Sequence, residues 1–324
     1  MSKFEIGGQQ VNGIVHLSNE FGTNANKMVY EAERIVSYLS HLELEHKYVK
    51  TSEDRNETIG QLQDITEVDD AVIIYGGEGT VNVAAEAYLK NNFLSGIIIP
   101  HLIRPGGNKN DLFHSLNKVS TRDSISNLFS MNIRSIYPLE FCIDPKDDKG
   151  VINQFAISYG GFGAIANASR LLNERRSSSL YKVLRANKIS RFILESECTL
   201  EGLTTSKPFS LIDHNNDGRE VNLVELSYIN GSRMAGGIIN TSIEADDNLA
   251  VRIEEARMLD LIVELGSQAI SPNNITSLVD EINDDFTLVS GTMFHLDAEH
   301  RQLHSNTRVR IKRSKKPFYV LSNK

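Results

Sequence analysis

The sequence predicts two domains. The first is an α/β domain with a parallel sheet and helices on both faces, over residues 1–135. The second is β-rich and sandwich-like, over residues 136–324, with a last strand free to return to the first domain. Three observations lead there. A chain of 324 residues can build two cores. Strand and helix patterns alternate through the first 116 residues, as a parallel sheet requires. Beyond about residue 135 the rhythm changes to closely spaced strands joined by Asp, Asn and Gly turns.

In order, "VNGIVHLS" (11–18) reads as a buried strand, and 24–42 as a helix with Met28, Ala32, Ile35, Val36 and Leu39 on one face. "LEHKYVK" (44–50) is a second strand and 53–65 a helix. "AVIIY" (71–75) runs into a glycine loop and a helix to about Lys90. "GIIIP" (96–100) is the next strand, followed by a loop into "NDLFHSL". In the second half, "FCIDPKDDKGVINQFAISYG" and "FSLIDHNNDGREVNLVELSYING" read as turn-linked strands, with a helical insertion near 168–193. A last helix-and-loop region precedes "RVRIKRSKKPFYVL".

Composition narrows the classes. Hydrophobic content of 40% and charged content of 23% are ordinary for a globular protein. A net charge of −8 argues against nucleic acid as a partner. Two cysteines, Cys142 and Cys198, show no metal or redox spacing and read as free thiols in a reducing cytoplasm. The N-terminus lacks the apolar core of a signal peptide, and no segment has the roughly 20 apolar residues of a membrane span. Membrane contact is therefore expected to be peripheral.

Two loops carry the chemistry. In Gly76-Gly77-Glu78-Gly79-Thr80, glycines let the backbone approach a ligand, and the following helix N-terminus suits phosphate oxygens. It matches neither GxxxxGK[ST] nor GxGxxG, and a tight turn with nothing bound has equal standing on glycine count alone. In "RPGGNKNDLF" (104–113), Asp111 alone reads as a helix N-cap. Both loops fall at strand ends, where ligands of open α/β sheets bind.

The ordered motifs resemble the diacylglycerol kinase catalytic-domain family, the bacterial lipid kinases related to sphingosine and ceramide kinases. The family's GGDGT-[IV]-N is similar to Gly76 through Asn82, and its P-x-G-T-x-N-D-F to Pro105 through Leu112. Its GFDA, NG…GGG and DGE resemble Gly161-Phe162-Gly163-Ala164, Asn230-Gly231 with Gly236-Gly237, and Asp297-Ala298-Glu299. The resemblance implies an ATP- and Mg²⁺-dependent kinase acting on a hydroxyl of a diacylglycerol-like lipid at the membrane surface. Gly76, Gly77, Gly79, Thr80, Asn82, Asn19, Thr51, Gly107 and Asn110 would form the nucleotide cleft. Glu78 and Asp111 would organise Mg²⁺, Glu299 would act as base, and Asp297 would orient it. A homodimer is compatible with the family.

The acidic residue among phosphate-binding glycines makes sense with a cation between them. Here it is Glu78, one methylene longer than the family's Asp. Asn108 replaces the family's threonine, Ala298 its DGE glycine, and Tyr137 or Pro138 stands where an acid is usual. The N-terminal NPxSG survives only as Asn19-Glu20-Phe21-Gly22-Thr23. These departures favour a second reading, a catalytically impaired nucleotide- or lipid-binding regulator. NAD kinase, a third, shares the first motif but lacks the Asn110-Asp111 pair.

Other patterns carry less. "DHNNDGREVNLV" (213–224) begins like a calcium loop but ends in Val224, so a hairpin turn is expected. His295, His300 and His304 have no accompanying ligand pattern for zinc. "RVRIKRSKK" is either a solvated strand face or a patch for anionic lipid headgroups, and both readings stay open.

Overall fold

The computed structural model describes residues 4–19, 24–94, 96–106, 110–116, 131–145, 150–178, 194, 197–198, 200–202, 204–231, 233–234, 239–240, 248–254, 276–278, 282–297 and 299–323. The first half runs β1 (Glu5–Ile6), β2 (Gln9–Gln10), β3 (Gly13–Ser18), α1 (Ala25–Leu39), β4 (Glu45–Lys50), α2 (Arg55–Ile65), β5 (Asp70–Gly76), α3 (Glu78–Lys90), β6 (His101–Pro105), α4 (Asp111–Leu116) and β7 (Asn132–Ile136). The second continues with β8 (Leu139–Asp144), β9 (Ile152–Ala156), β10 (Tyr159–Gly163), α5 (Ala164–Ser177), β11 (Phe209–Asp213) and β12 (Arg219–Asn230). Then come β13 (Arg233–Met234), β14 (Ile239–Asn240), β15 (Asn248–Glu254), β16 (Thr276–Leu278), β17 (Asn283–Leu288), β18 (Thr292–Leu296), β19 (Glu299–Leu303), β20 (Arg308–Arg313) and β21 (Phe318–Ser322).

Successive side chains on a strand point to opposite faces, and both faces of the first sheet are apolar. Ile14, Ala71, Ile73 and Tyr75 face α1, packing on Met28, Ile35 and Leu39. Val15, Leu17, Val72 and Ile74 face the other way, onto Ile59 and Leu62 of α2 and Val81, Ala84 and Ala85 of α3. Burial on both faces forces helices onto both, and the six strands lie in the order β4-β3-β5-β6-β21-β7. β3 through β6 are parallel; the last strand, β21, returns to pair parallel with β6 and antiparallel with β7.

The strand expected at 96–100 begins instead at His101. Pro100 has no N–H to give a ladder, and only its carbonyl is used, accepting from Val72 N–H at 3.0 Å. The expected helical insertion begins earlier, at Ala164, directly behind Gly163, whose φ is 108°. Its remainder after Ser178, and the helix-and-loop region expected after 254, fall largely outside the described residues.

Among the described residues the second domain is built on an antiparallel sheet of 11 strands, with β13 and β14 paired apart from it. Its aromatic contacts show that it curls. β8 and β18 are six places apart in the sheet order. Flat, that would separate them by ~29 Å at ~4.8 Å per strand. Yet the rings of Phe141 on β8 and Phe294 on β18 lie 5.6 Å apart between centroids. The sheet therefore wraps around one core, with Phe162, Tyr228 and Phe286 inside. The turn 214–218 between β11 and β12 is a hairpin loop, with the Gly218 N–H on the Asp213 carbonyl at 3.0 Å.

Three histidines are buried in these cores, and burial holds them neutral: His16 and His101 are lowered to about 4, and His295 to about 3. In the unfolded chain each titrates near 6.5, so only the unfolded chain gains protons as pH falls below that value. The stability they contribute is full above about pH 6.5 and is lost as pH falls toward 4. Glu78 and Glu225, whose carboxyls burial raises to about 7, pull the other way over this window, so the net drop in chemical-denaturation midpoints should be modest. His295→Leu should make the drop shallower, since neither ring nitrogen of His295 bonds to a described residue. An unchanged slope would contradict a neutral buried imidazole.

Candidate active site

The carboxyl ends of β3, β5 and β6 lie in register, Ser18 beside Tyr75 and Gly76 beside Pro105, so their loops converge. The two glycine loops touch: the Gly106 N–H donates to the Gly76 carbonyl at 2.8 Å. A Cβ on Gly76 would lie 2.3 Å from Thr80 Oγ1, and one on Gly106 would lie 2.6 Å from Met28 Sδ. Glycine at these positions serves close backbone approach. Gly77 caps α3, and Glu78, Gly79 and Thr80 form its first turn, where the helix dipole favours negative charge.

Thr80 is buried and held by Asn19, whose Nδ2 donates to Thr80 Oγ1 at 3.2 Å. Thr51 Oγ1 donates in turn to Asn19 Oδ1 at 3.4 Å. With Gly79 these residues line a cleft of about 430 Å³, closed from the second domain by Glu299. So Asn19, Thr51, Gly79, Thr80 and Glu299, read separately from the sequence, come together. Gly107, Asn108, Lys109, Ala298, Glu20 through Thr23, and Gly236-Gly237 lie outside the described residues.

Glu78 reaches from α3 to the second loop, where its Oε1 accepts the Asp111 N–H. The extra methylene noted in the sequence makes this reach. Burial, then the neighbouring charge of Asp111, pushes the Glu78 carboxyl up to about 7. Asp111 is fully buried as the first residue of α4. The residue before it, Asn110, takes φ 52°, and its carbonyl accepts the His114 N–H at 3.0 Å; Asp111 is therefore not the cap. Among the described residues no group of three or more His, Cys, Asp or Glu side chains is arranged to hold an ion. Two carboxylates nonetheless fit Mg²⁺, which commonly completes its shell with substrate phosphates and water. A cation between Glu78 and Asp111 would relieve the repulsion that raises Glu78.

Asp297 is buried in the left-handed region at φ 48°. Its Oδ1 accepts the N–H groups of Ser158 and Tyr159, each at 3.1 Å, and its Oδ2 accepts that of Ile157 at 3.0 Å. Asn82 Nδ2 also donates to Oδ2, and to the Phe155 carbonyl, so α3 is tied to the second domain. Burial raises the Asp297 carboxyl while these bonds oppose the shift. Asn82, expected in the nucleotide cleft, stands in this clasp instead: both functions of its amide are engaged by protein groups.

Glu299, at the start of β19, projects the other way. Its Oε1 accepts from Arg55 Nη1 at 2.8 Å and its Oε2 from Gln154 Nε2 at 3.2 Å. Arg55 has no motif in the sequence; only its place at the first turn of α2, just beyond a strand end, could have pointed to it. The carboxylates two residues apart thus divide into one built into the fold and one facing the cleft. Asp297→Ala should lower stability by ~3 kcal/mol or more, because it strands several buried donors at ~1–3 kcal/mol each. Glu299→Gln should change it by less than ~1 kcal/mol, as for an exposed ion pair. Denaturant titration of both checks this; equal losses would contradict the division.

Residues 14–138 match the family model of the diacylglycerol kinase catalytic domain. No curated protein matches the chain in sequence. A diacylglycerol kinase structure from Bacillus anthracis strain Sterne is 16% identical, with a TM-score of 0.60, covering 96% of this chain and 97% of that one. Yeast NADH kinase complexed with NADH is 9% identical, with a TM-score of 0.51, covering 98% of this chain and 85% of that one. At these identities the likeness is one of fold. The family match, falling on the domain that carries both glycine loops, supports a kinase: residues 14–138 are similar to a diacylglycerol kinase catalytic domain.

Proposed function

We propose that the protein is an ATP- and Mg²⁺-dependent lipid kinase that phosphorylates a hydroxyl of a diacylglycerol-like lipid. The observation that carries this is the cleft itself. Gly79 and Thr80, at a helix N-terminus, form one wall, and the Glu299 carboxylate closes it from the second domain. A polyphosphate suits the first wall and a hydroxyl proton the second. Asn19 and Thr51 would position the phosphates, and Gly76, Gly77, Gly107 and Asn110 would shape the loops that carry them. Glu78 and Asp111 would hold Mg²⁺, which when bound neutralises charge on the transferred group.

Glu299 would accept the proton of the lipid hydroxyl as its oxygen forms a bond to the γ-phosphorus. The bond from that phosphorus to the bridging oxygen breaks, and ADP leaves with the electron pair. Asp297 acts as a positioning residue, fixing the turn from which Glu299 projects. No described helix is long and apolar enough to cross a membrane. The basic strand is partly paired. Arg308 pairs with Asp285 at 2.7 Å and Lys312 with Glu140 at 2.9 Å, leaving β20 less charge than its sequence suggests. Peripheral access to lipid is part of the proposal and is not assigned to β20.

One observation favours the second reading, a catalytically impaired nucleotide-binding regulator. Tyr137, near the position where the family resemblance expects an acid, lies under the Arg313 guanidinium, 4.6 Å from its ring centroid. Labelled ATP with Mg²⁺, offered with a panel of lipids in mixed vesicles and with NAD, separates the readings. The expected outcome is label on a diacylglycerol-like lipid. Glu299→Gln should cut turnover by ~10²–10⁴-fold, the usual contribution of a positioned base, without weakening ATP binding. Label on NAD would establish the NAD kinase reading, and bound ATP with no labelled product the impaired one.

A further inference from the structure

We propose that Arg55 is the phosphate-binding cation of the cleft, and that a ligand phosphate displaces Glu299 from it when nucleotide enters. The proposal rests on the nucleotide-binding reading above and adds a residue and an order of events to it. Arg55 is the one basic side chain among the described residues lining the cleft, where two of its neighbours, Glu53 and Glu299, are acidic. Among the described residues, an anion entering this space would meet no other side-chain cation.

The guanidinium is held unequally at its two ends. On its inner side, Nε donates to Glu86 Oε2 at 3.1 Å, and Nη2 donates to Glu86 and to Asn82 Oδ1. The Glu86 side chain is only 3% exposed and is also paired with Lys90, so this end is anchored in α3. On its outer side, Nη1 meets Glu299, whose side chain is 41% exposed. An exposed pair is a weak competitor, whereas a phosphate carries more charge to draw the Nη1 hydrogens that the inner anchor leaves.

The exchange has a consequence for the reaction. While Glu299 is paired with Arg55, one of its oxygens is covered by a cation. Phosphate on Arg55 would free that oxygen when the phosphoryl donor is in place, with Gln154 still holding the other at 3.2 Å. Base and donor would then be presented together.

Calorimetric titration of the full chain with tripolyphosphate and Mg²⁺ tests this without requiring turnover. Arg55→Gln should weaken binding by ~10-fold or more, as expected for a lost charge-assisted contact. Glu299→Gln should tighten it by ~2–5-fold, the range of an exposed ion pair released from competition. That tightening should vanish in the Arg55→Gln background. Unchanged binding in Arg55→Gln, or equal tightening in both backgrounds, would overturn the proposal, the latter pointing to general repulsion by the carboxylate. If Arg55→Gln does not fold, as its melting curve would reveal, Glu299→Gln alone decides: binding no tighter than wild type overturns it. Failure of the wild type to bind either tripolyphosphate or ATP would sink the nucleotide reading itself, a distinguishable result.

Discussion

The Asp297 carboxylate is buried where α3 meets the second sheet, and it accepts N–H groups from Ile157, Ser158, Tyr159 and Asn82. A buried carboxylate is costly to desolvate, and only a full set of donors makes it tolerable. Here the donors come from both domains. Ile157 and Ser158 lie between β9 and β10, Tyr159 opens β10, and Asn82 belongs to α3, the helix that starts at the first glycine loop. The constraint therefore fixes three things at once: the position of α3 against the second sheet, the turn after β18, and the direction in which β19 begins. Glu299 faces the cleft because Asp297, two residues earlier, has nowhere else to go. Arg55 extends the same arrangement outward, since it touches Asn82 and Glu86 of α3 as well as Glu299.

Much of this was legible from the residues. The apolar runs at 13–18 and 70–76 have the double-faced burial of central parallel strands, and their helices follow from 3.6-residue periodicity. The glycine loops announced themselves by composition, and a Cβ at Gly76 or Gly106 would crowd the side chain of Thr80 or Met28. Local pattern could not supply the long-range pairings. Asn82 was expected to touch nucleotide because it follows the glycine motif, yet its partners are Phe155 and Asp297, 73 and 215 residues away in sequence. Arg55 was missed for the same reason: its meaning lies in Glu299, 244 residues on. The strand expected at 96–100 failed on a local point, the missing N–H of Pro100, which ordinary apolar patterning does not register.

The departures from the family pattern look different in space than in sequence. The longer side chain of Glu78 is used, spanning from α3 to the backbone of Asp111. Burial and the nearby Asp111 charge leave it a site where a cation would be favoured, which agrees with a role beside phosphate. Tyr137, by contrast, is engaged with Arg313 and brings no carboxylate to its position. Two of the four cations of β20, Arg308 and Lys312, are paired locally, with Asp285 and Glu140, a pairing that the strand's sequence does not reveal.

The central claim is that one buried clasp between the domains assembles the proposed site, holding the proposed nucleotide wall at the start of α3 in register with the proposed base on β19. Asn82→Ala removes the helix side of that clasp while leaving Asn19, Thr51, Gly79 and Thr80 in place. The most direct measurement is ATP affinity and phosphoryl transfer to lipid for this variant, side by side. The account predicts affinity within a few-fold of wild type and turnover lower by ~10²-fold, the loss expected when a catalytic group is misplaced by about an ångström. Turnover equal to wild type would contradict it.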